Sequence, residues 1–202
     1  MSNVLSKAER TRNFIIESTA EIFNKKGYAG TSLNDLTAAT GLTKGSIYGN
    51  FENKEEVALA AFDYNHACVT RLIGQRIEQA DSFRDKLLVY ASVYDNFNKG
   101  NFPLGGCPVL NTAVEADDTH DQLKKRAAGA VLSWKKNIEL LIAGGIASKE
   151  FKPDLDSSIL ALSMIALIEG GIMIAKVTGS QRNMDQVMQT LKMLVDQMLA
   201  TT

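Results

Sequence analysis

Residues 31–51 read TSLNDLTAATGLTKGSIYGNF, and this stretch predicts two short helices joined by a tight turn. The first helix has two candidate caps, Thr31 and Ser32, because a side-chain hydroxyl satisfies free backbone N–H groups at a helix start. Leu33 and Leu36 then fall on one face of that helix. The spacing therefore predicts a short helix with one apolar face.

A glycine turn separates this helix from the second one. Gly41 can end the first helix, since glycine adopts the left-handed conformation without steric cost. Leu42 supplies an apolar side chain for the corner, and Thr43 is a cap for a second helix over Lys44–Asn50, in which Ile47 faces inward. Two short helices around such a turn form a helix-turn-helix, whose second helix fits the major groove of DNA.

Many residues around the turn match a known pattern in order and spacing. They are Arg12, Ile15, Ile16, Ala20, Phe23, Gly27, Tyr28, Thr31, Ser32, Asp35, Leu36, Gly41–Tyr48, Phe51 and Asn53–Glu56. In these residues the N-terminal region resembles the DNA-binding domain of the TetR family of bacterial transcription regulators, over about residues 12–62. The resemblance implies a three-helix DNA-binding domain.

The resemblance also implies which side chains contact DNA. Residues at the positions of Thr43, Lys44, Ser46 and Tyr48 touch bases or phosphates in the family, and the one at Lys54 binds phosphate. N–H groups and hydroxyls at helix starts are suitable phosphate partners, and short side chains on the second helix can reach base edges. The full candidate set is Thr31, Ser32, Thr43, Lys44, Gly45, Ser46, Tyr48 and Lys54.

Composition favours an all-α protein, since the chain has 202 residues, 45% hydrophobic content and only three prolines. Helical periodicity predicts about nine helices. We expect an N-terminal helix-turn-helix DNA-binding domain over residues 1–54 and a C-terminal helical domain over residues 55–202, which binds a ligand and dimerises. Four helices outside the turn have both ends predicted, over Lys7–Lys25, Asn53–Gln79, Phe83–Lys99 and Ser157–Val177. Three more have only a predicted start, at Cys107-Pro108, at a capping box of Thr119 and Gln122, and at Asn183.

Charge and cysteine content fit a cytoplasmic protein that binds nucleic acid. Residues 1–54 carry seven Lys/Arg against five Asp/Glu, whereas the rest carries 15 against 18. The two cysteines, Cys68 and Cys107, form no disulfide framework or metal motif. Because the N-terminus is polar, we expect no signal peptide. Ile159–Val177 is apolar and nearly long enough to cross a bilayer, but polar interruptions favour a buried helix, so we expect no membrane partner.

The C-terminal part also resembles TetR-type regulators in plan, in Gly105–Pro108 leading to Glu115 and in Glu169–Gly171 leading to Lys176. This likeness implies a homodimer whose last two helices pack against their symmetry mates. We expect a pocket for a small-molecule effector among helices 4 to 8, because apolar groups with a few polar tips line such cavities. The candidates are Tyr64, Cys68, Tyr90, Tyr94, Phe97, Cys107, Trp134, Ile138 and Lys176.

These features predict a ligand-responsive DNA-binding regulator, a repressor that a small molecule releases from a palindromic operator. Long helix 4 would connect the two functions. No cofactor is expected, and no enzyme is indicated, because His66 and His120 have no sequence-readable nucleophile partner. A helical interaction protein that does not bind DNA is the alternative of a different class.

Two local alternatives concern the C-terminal part. Cys107 stands at a helix start, where the dipole favours a thiolate, and Lys176 is a cation that packing could bring near it. It is either a redox or electrophile sensor or a buried small hydrophobe. The acidic cluster of Glu115, Asp117, Asp118 and Asp121 with His120 is either a divalent-cation site or a charged corner between two helices.

Overall fold

The computed structural model describes residues 5–97, 100 and 102–200, and in these residues the chain forms nine α-helices. This confirms the all-α prediction. The helices are α1 Lys7–Gly30, α2 Leu33–Thr40, α3 Lys44–Tyr48, α4 Lys54–Glu78, α5 Phe83–Asp95, α6 Pro108–Ala116, α7 Asp121–Ala147, α8 Ser157–Thr178 and α9 Gln181–Asp196.

The predicted caps of the helix-turn-helix are confirmed. Ser32 is the N-cap of α2, and its hydroxyl accepts a hydrogen bond from the Asp35 backbone N–H at 3.2 Å. Gly41 ends α2 in the left-handed conformation at φ 66°. Thr43 caps α3 by accepting from the Ser46 backbone N–H, also at 3.2 Å. The turn therefore forms from local sequence alone.

Several helix boundaries differ from the prediction, and α1 continues past its expected end at Lys25 to Gly30. The cap of α7 is His120, whose Nδ1 accepts from the Leu123 N–H, whereas the hydroxyl of Thr119 donates to the Glu115 carbonyl instead. Helix α9 begins at Gln181, two residues before the expected start, after Ser180, which makes no side-chain cap. Helix α5 ends at Asp95, and Asn98 and Lys99 of its predicted last turn lie outside the described residues.

The contacts divide the chain into two compact units. The first comprises residues 1–68 and 103–128, and the second comprises residues 69–102 and 129–202. Helices α4 and α7 each contribute residues to both units. Helix α6 belongs to the first unit, with the helix-turn-helix, although the sequence analysis placed it in the C-terminal domain. The predicted boundary between a DNA-binding domain and a ligand-binding domain after residue 54 stays a prediction, because the division into compact units does not test the function of either part.

The core of the first unit collects the apolar faces of α1 to α4. Ile15, Leu36, Ile47 and Val57 have no solvent exposure, and Phe51 is 2% exposed. Removal of apolar surface from water is the main force that holds such short helices in place. Because Ile47 is the buried residue of α3, its neighbours on the other side of the helix face solvent.

In the second unit, α8 packs closely against α9, and glycine allows the approach. A Cβ built on Gly171 would lie 2.9 Å from the sulfur of Met184 and 3.2 Å from a methyl group of Val187. The buried face of α9 consists of Met184, Met188, Leu191 and Val195.

Helix α8 is the one helix of the described residues that is long and apolar enough to cross a membrane by length and composition. The core helix of a soluble protein passes the same test. Its residues Ala161, Met164, Ile168 and Ile172 are fully buried within the second unit. The packing therefore supports the interpretation of α8 as a core helix.

The C-terminal end of α7 depends on a second close approach. A Cβ on Gly145 would lie 2.1 Å from the ring of Phe151, which is 2% exposed and cannot swing away. Gly129, in the same helix, has no atom within 4 Å of its Cβ position. The same substitution therefore has opposite consequences at the two sites.

We predict that Gly145→Ala lowers the free energy of unfolding by about 1–3 kcal/mol, because overpacking forces the ring and backbone apart. Gly129→Ala should raise it by up to about 1 kcal/mol, since alanine is the better helix former. Urea unfolding followed by circular dichroism measures both. Equal effects of the two substitutions would show that Phe151 does not constrain this turn.

Candidate nucleic-acid interface and effector site

The outer side of α3 presents the residues that the sequence analysis assigned to DNA. Thr43, Lys44 and Gly45 are exposed, while Ser46 and Tyr48 are half-buried. The ammonium of Lys44 lies 6.0 Å from the centre of the Tyr48 ring. The structure thus places the Thr43 hydroxyl and the Lys44 ammonium at the start of α3 and the Tyr48 phenol at its end.

Two candidates at the start of α2 have different surroundings. Ser32 is exposed, and its hydroxyl also lies 2.8 Å from the carboxylate of Asp35. Thr31 is 1% exposed, and its hydroxyl donates to the Gly27 carbonyl at 2.6 Å. In this conformation the Thr31 side chain stabilises the turn and is not available to DNA.

Lys54 holds the end of α1 from one side. Its Nζ donates to the carbonyl oxygens of Tyr28 and Thr31 at 2.8 and 2.9 Å and lies 4.2 Å from the centre of the Tyr28 ring. The sequence analysis assigned Lys54 to a phosphate. In the structure its ammonium holds the turn between α1 and α2, and its contact with phosphate stays a prediction.

Glu115 of α6 holds the same turn from the other side. Its carboxylate accepts hydrogen bonds from the backbone N–H groups of Tyr28 and Ala29, both at 2.8 Å. Gly27 has φ 73° and interrupts α1 here, which frees these N–H groups. Its Cβ position would lie 2.3 Å from a Glu115 oxygen, so only glycine leaves room for the carboxylate.

Two asparagines extend this connection to the loop before α6. The buried Asn24 side chain donates to the carbonyls of Leu104 and Gly106 at 2.8 and 2.9 Å. The Asn111 side chain, on α6, donates to the backbone carbonyl of Asn24 in α1 at 3.0 Å. Because amide pairs in a half-buried setting require fixed geometry, the loop, α6 and the end of α1 form one rigid corner.

The sequence analysis missed Asn24, Asn111 and the role of Glu115. One signal was available for Asn24, which continues the buried side of α1 formed by Ala20 and Phe23. A polar residue on an apolar face needs a partner inside the protein. The partners themselves lie 80 or more residues away and have no periodic signature.

The candidate effector residues fall into both compact units. Tyr64, Cys68 and Cys107 belong to the first, and the other six belong to the second. Tyr64 is 38% exposed and lines a surface recess of about 420 Å³ with Asn13 and Ile16. Cys68 is half-buried and Lys176 is exposed. A single pocket formed by all nine residues stays a prediction.

In the second unit the structure brings three aromatic candidates together. The rings of Tyr94 and Trp134 stack with centroids 5.0 Å apart, and Tyr90 stacks on Trp134 at 6.2 Å. Burial raises the pKa of Tyr90 to about 12. Phe97 and Ile138 are also buried in this unit.

Cys107 has no solvent exposure and stands as the N-cap of α6, where its side chain makes no capping hydrogen bond. A buried thiol behaves as a small hydrophobe. The acidic cluster is also without support as a cation site, because the described residues contain no group of three or more His, Cys, Asp or Glu that could hold a metal ion.

A buried-core helix-turn-helix with an exposed second helix, on an all-helical chain, defines a helix-turn-helix transcription regulator. Residues 15–61 match the family described as bacterial regulatory proteins, tetR family, and residues 84–191 match the tetracyclin repressor-like, C-terminal domain. The chain belongs to the TetR family of bacterial regulators. It is a ligand-responsive DNA-binding transcription regulator, and the alternative of a helical protein that does not bind DNA has no support.

Individual relatives agree with this assignment. A TetR-family regulator from Cytophaga hutchinsonii of known structure is 53% identical, with a TM-score of 0.96, and the match covers 99% of this chain and 100% of that one. A TetR regulator from Chloroflexus aurantiacus is 35% identical, with a TM-score of 0.91, over 98% and 100% of the two chains. The transcriptional repressor DhaR of Mycobacterium sp. (strain GP1) is 25% identical over 95% of this chain and 93% of DhaR.

We predict that Glu115→Ala lowers the free energy of unfolding by about 1–3 kcal/mol, because it leaves two backbone N–H groups without their charged acceptor. The exposed Asp118 on the same corner provides the control, and Asp118→Ala should change stability by less than about 0.5 kcal/mol. Urea unfolding measures both. A Glu115→Ala protein as stable as the control would contradict a stabilising role for the carboxylate.

Proposed function

We propose that this regulator is a homodimeric repressor that binds a palindromic operator through α3 and leaves it when a small molecule binds. The observation that carries the proposal is the exposed start of α3, fixed by the buried Ile47 on the opposite side. The name of the similar protein DhaR, a repressor, supports this direction of regulation. Gel-shift and footprinting assays on the DNA upstream of its own gene test the proposal.

Base and phosphate contacts are assigned to the exposed side of α3. Thr43 and Ser46 have short polar side chains that reach base edges, while Lys44 and Tyr48 supply the ammonium and phenol for phosphates. Gly45 allows the backbone to approach the DNA closely. Ser32 at the start of α2 is an exposed hydroxyl for a phosphate. The proposed role of Lys54 and Thr31 is to position α2 and α3.

One recognition helix reads only a few base pairs, so specificity requires two copies. In a symmetric dimer, the two α3 helices would enter successive major grooves about 34–36 Å apart, which calls for a palindromic site. A protein that binds bacterial operators acts in the cytoplasm, and the proposed activity involves no catalysis.

The dimer surface is proposed on α8. Six of its small or apolar residues recur at helical spacing, and all of them are exposed or half-buried in the single chain. They are Ile159, Leu162, Ala166, Gly170, Met173 and Val177. A continuous exposed apolar stripe on a soluble protein marks an interaction site. Ala166 and Gly170 lie at its centre, where small residues let two helices approach closely.

The effector is proposed to act through α4, which contributes residues to both compact units. Its first residue, Lys54, also holds the turn between α1 and α2. A ligand that prefers one conformation of the second unit would change the position of α4 and hence of α3. A ligand with equal affinity for both conformations would change nothing. The complete burial of Cys107 favours packing over sensing for that residue.

We predict that Lys44→Ala weakens binding to all DNA sequences and lowers the slope of log K against log salt by about one, because one phosphate contact is lost. Lys136 is an exposed lysine of α7, and Lys136→Ala makes the same charge change away from the recognition helix. Salt titrations monitored by fluorescence anisotropy measure the slopes. Identical slopes for the two variants would remove Lys44 from the interface.

We predict that Gly170→Leu weakens the dimer by tenfold or more while the chain stays folded. No atom lies within 4 Å of its Cβ position in the single chain, so the new side chain only obstructs a partner. Gly129→Leu, also at an open helical site, is the control. Sedimentation velocity across a dilution series gives the dissociation constants. A dimer unaffected by Gly170→Leu would exclude this stripe as the interface.

A further inference from the structure

The indole N–H of Trp134 is a buried donor without an acceptor. Trp134 is 7% exposed, and its Nε1 has no hydrogen-bond partner among the residues that the structure describes. Buried polar groups in folded proteins are nearly always paired, and an unpaired one is costly. A donor of this kind in a protein that binds small molecules points to an acceptor that arrives with the ligand.

The neighbouring rings do not satisfy this donor. Tyr94 and Tyr90 lie within 16° and 22° of the plane of the indole. The N–H bond lies in that plane, so it points past both rings rather than at their π faces. The stacking of the two tyrosine rings on Trp134 therefore provides no acceptor for the indole N–H.

The same cluster indicates the shape and charge of the ligand. Stacked faces of Tyr90, Tyr94 and Trp134, with Phe102 edge-on to Tyr94 at 5.5 Å, favour a flat aromatic molecule that continues the stack. Tyr90, Tyr94 and Trp134 are each at most 7% exposed, and an unpaired charge is costly in such buried surroundings. A neutral ligand is favoured for the same reason.

We propose that Trp134 determines effector specificity by donating its indole N–H to an acceptor oxygen on a flat, uncharged aromatic compound, such as an aryl ketone. The proposal rests on the proposed function, because it names the class of small molecule that the regulator binds. A site built around a buried donor discriminates strongly against an analogue that lacks the acceptor.

The experiment compares 1-indanone with indane, which share a flat bicyclic frame and differ by one carbonyl group. Isothermal titration calorimetry measures both dissociation constants on wild type, on Trp134→Phe, which keeps a ring but removes the N–H, and on Tyr90→Phe, which removes a neighbouring hydroxyl. We expect wild type to bind 1-indanone more tightly than indane, although water solvates the ketone better. The ratio of the two affinities should fall about tenfold in Trp134→Phe and stay unchanged in Tyr90→Phe.

Several results would overturn the proposal. They are an unchanged ratio in Trp134→Phe, equal or weaker binding of 1-indanone by wild type, or no binding of either probe. If Trp134→Phe does not fold, the preference of wild type for 1-indanone over indane tests the proposal by itself. A gel shift without any probe tests operator binding separately. A wrong ligand class is therefore distinguishable from failure of the proposed function. Because the chain has one tryptophan, quenching of its fluorescence by 1-indanone independently locates the probe.

Discussion

The break in α1 at Gly27 is the constraint on which the DNA-reading part of the molecule depends. A helix interruption leaves backbone N–H and C=O groups that need partners. Glu115 accepts from the Tyr28 and Ala29 N–H groups after the break, and Lys54 donates to the carbonyls of Tyr28 and Thr31, where α1 ends. An anion and a cation therefore hold the same turn. This turn leads directly into α2, so its geometry sets the direction in which the helix-turn-helix leaves α1.

The second unit uses the same chemistry at α5. The carboxylate of Glu150 accepts from the backbone N–H groups of Phe83 and Arg84 at 2.9 and 2.7 Å, and Arg84 in turn pairs with Asp196 of α9 at 2.7 Å. A distant carboxylate thus replaces water at a helix start in both units. Trp134 is the contrast, because its buried indole N–H has no hydrogen-bond partner among the described residues.

Burial separates residues that read alike in the sequence. Gly170 and Gly171 are adjacent, but Gly171 meets Met184 of α9 and Gly170 faces open space. Thr31 and Ser32 are both hydroxyl residues at the start of α2, but only Ser32 is exposed. Gly171 and Thr31 are buried in the packing of the single chain, Gly170 is open to a partner, and the exposed Ser32 also caps α2.

The sequence by itself determined the elements whose causes are local. Ser32, Gly41 and Thr43 fix the helix-turn-helix because caps and left-handed turns depend on a few adjacent residues, and the apolar period of α9 follows from 3.6 residues per turn. The tertiary structure alone decided the pairing of Glu115 with Gly27, the network of Asn24 and the burial of Thr31. These contacts join residues far apart in the chain, or depend on which face of a turn is covered, and neither leaves a spacing in the sequence. The structure also decided that His120 caps α7, since its Nδ1 accepts from the Leu123 N–H while the Thr119 hydroxyl donates to the Glu115 carbonyl.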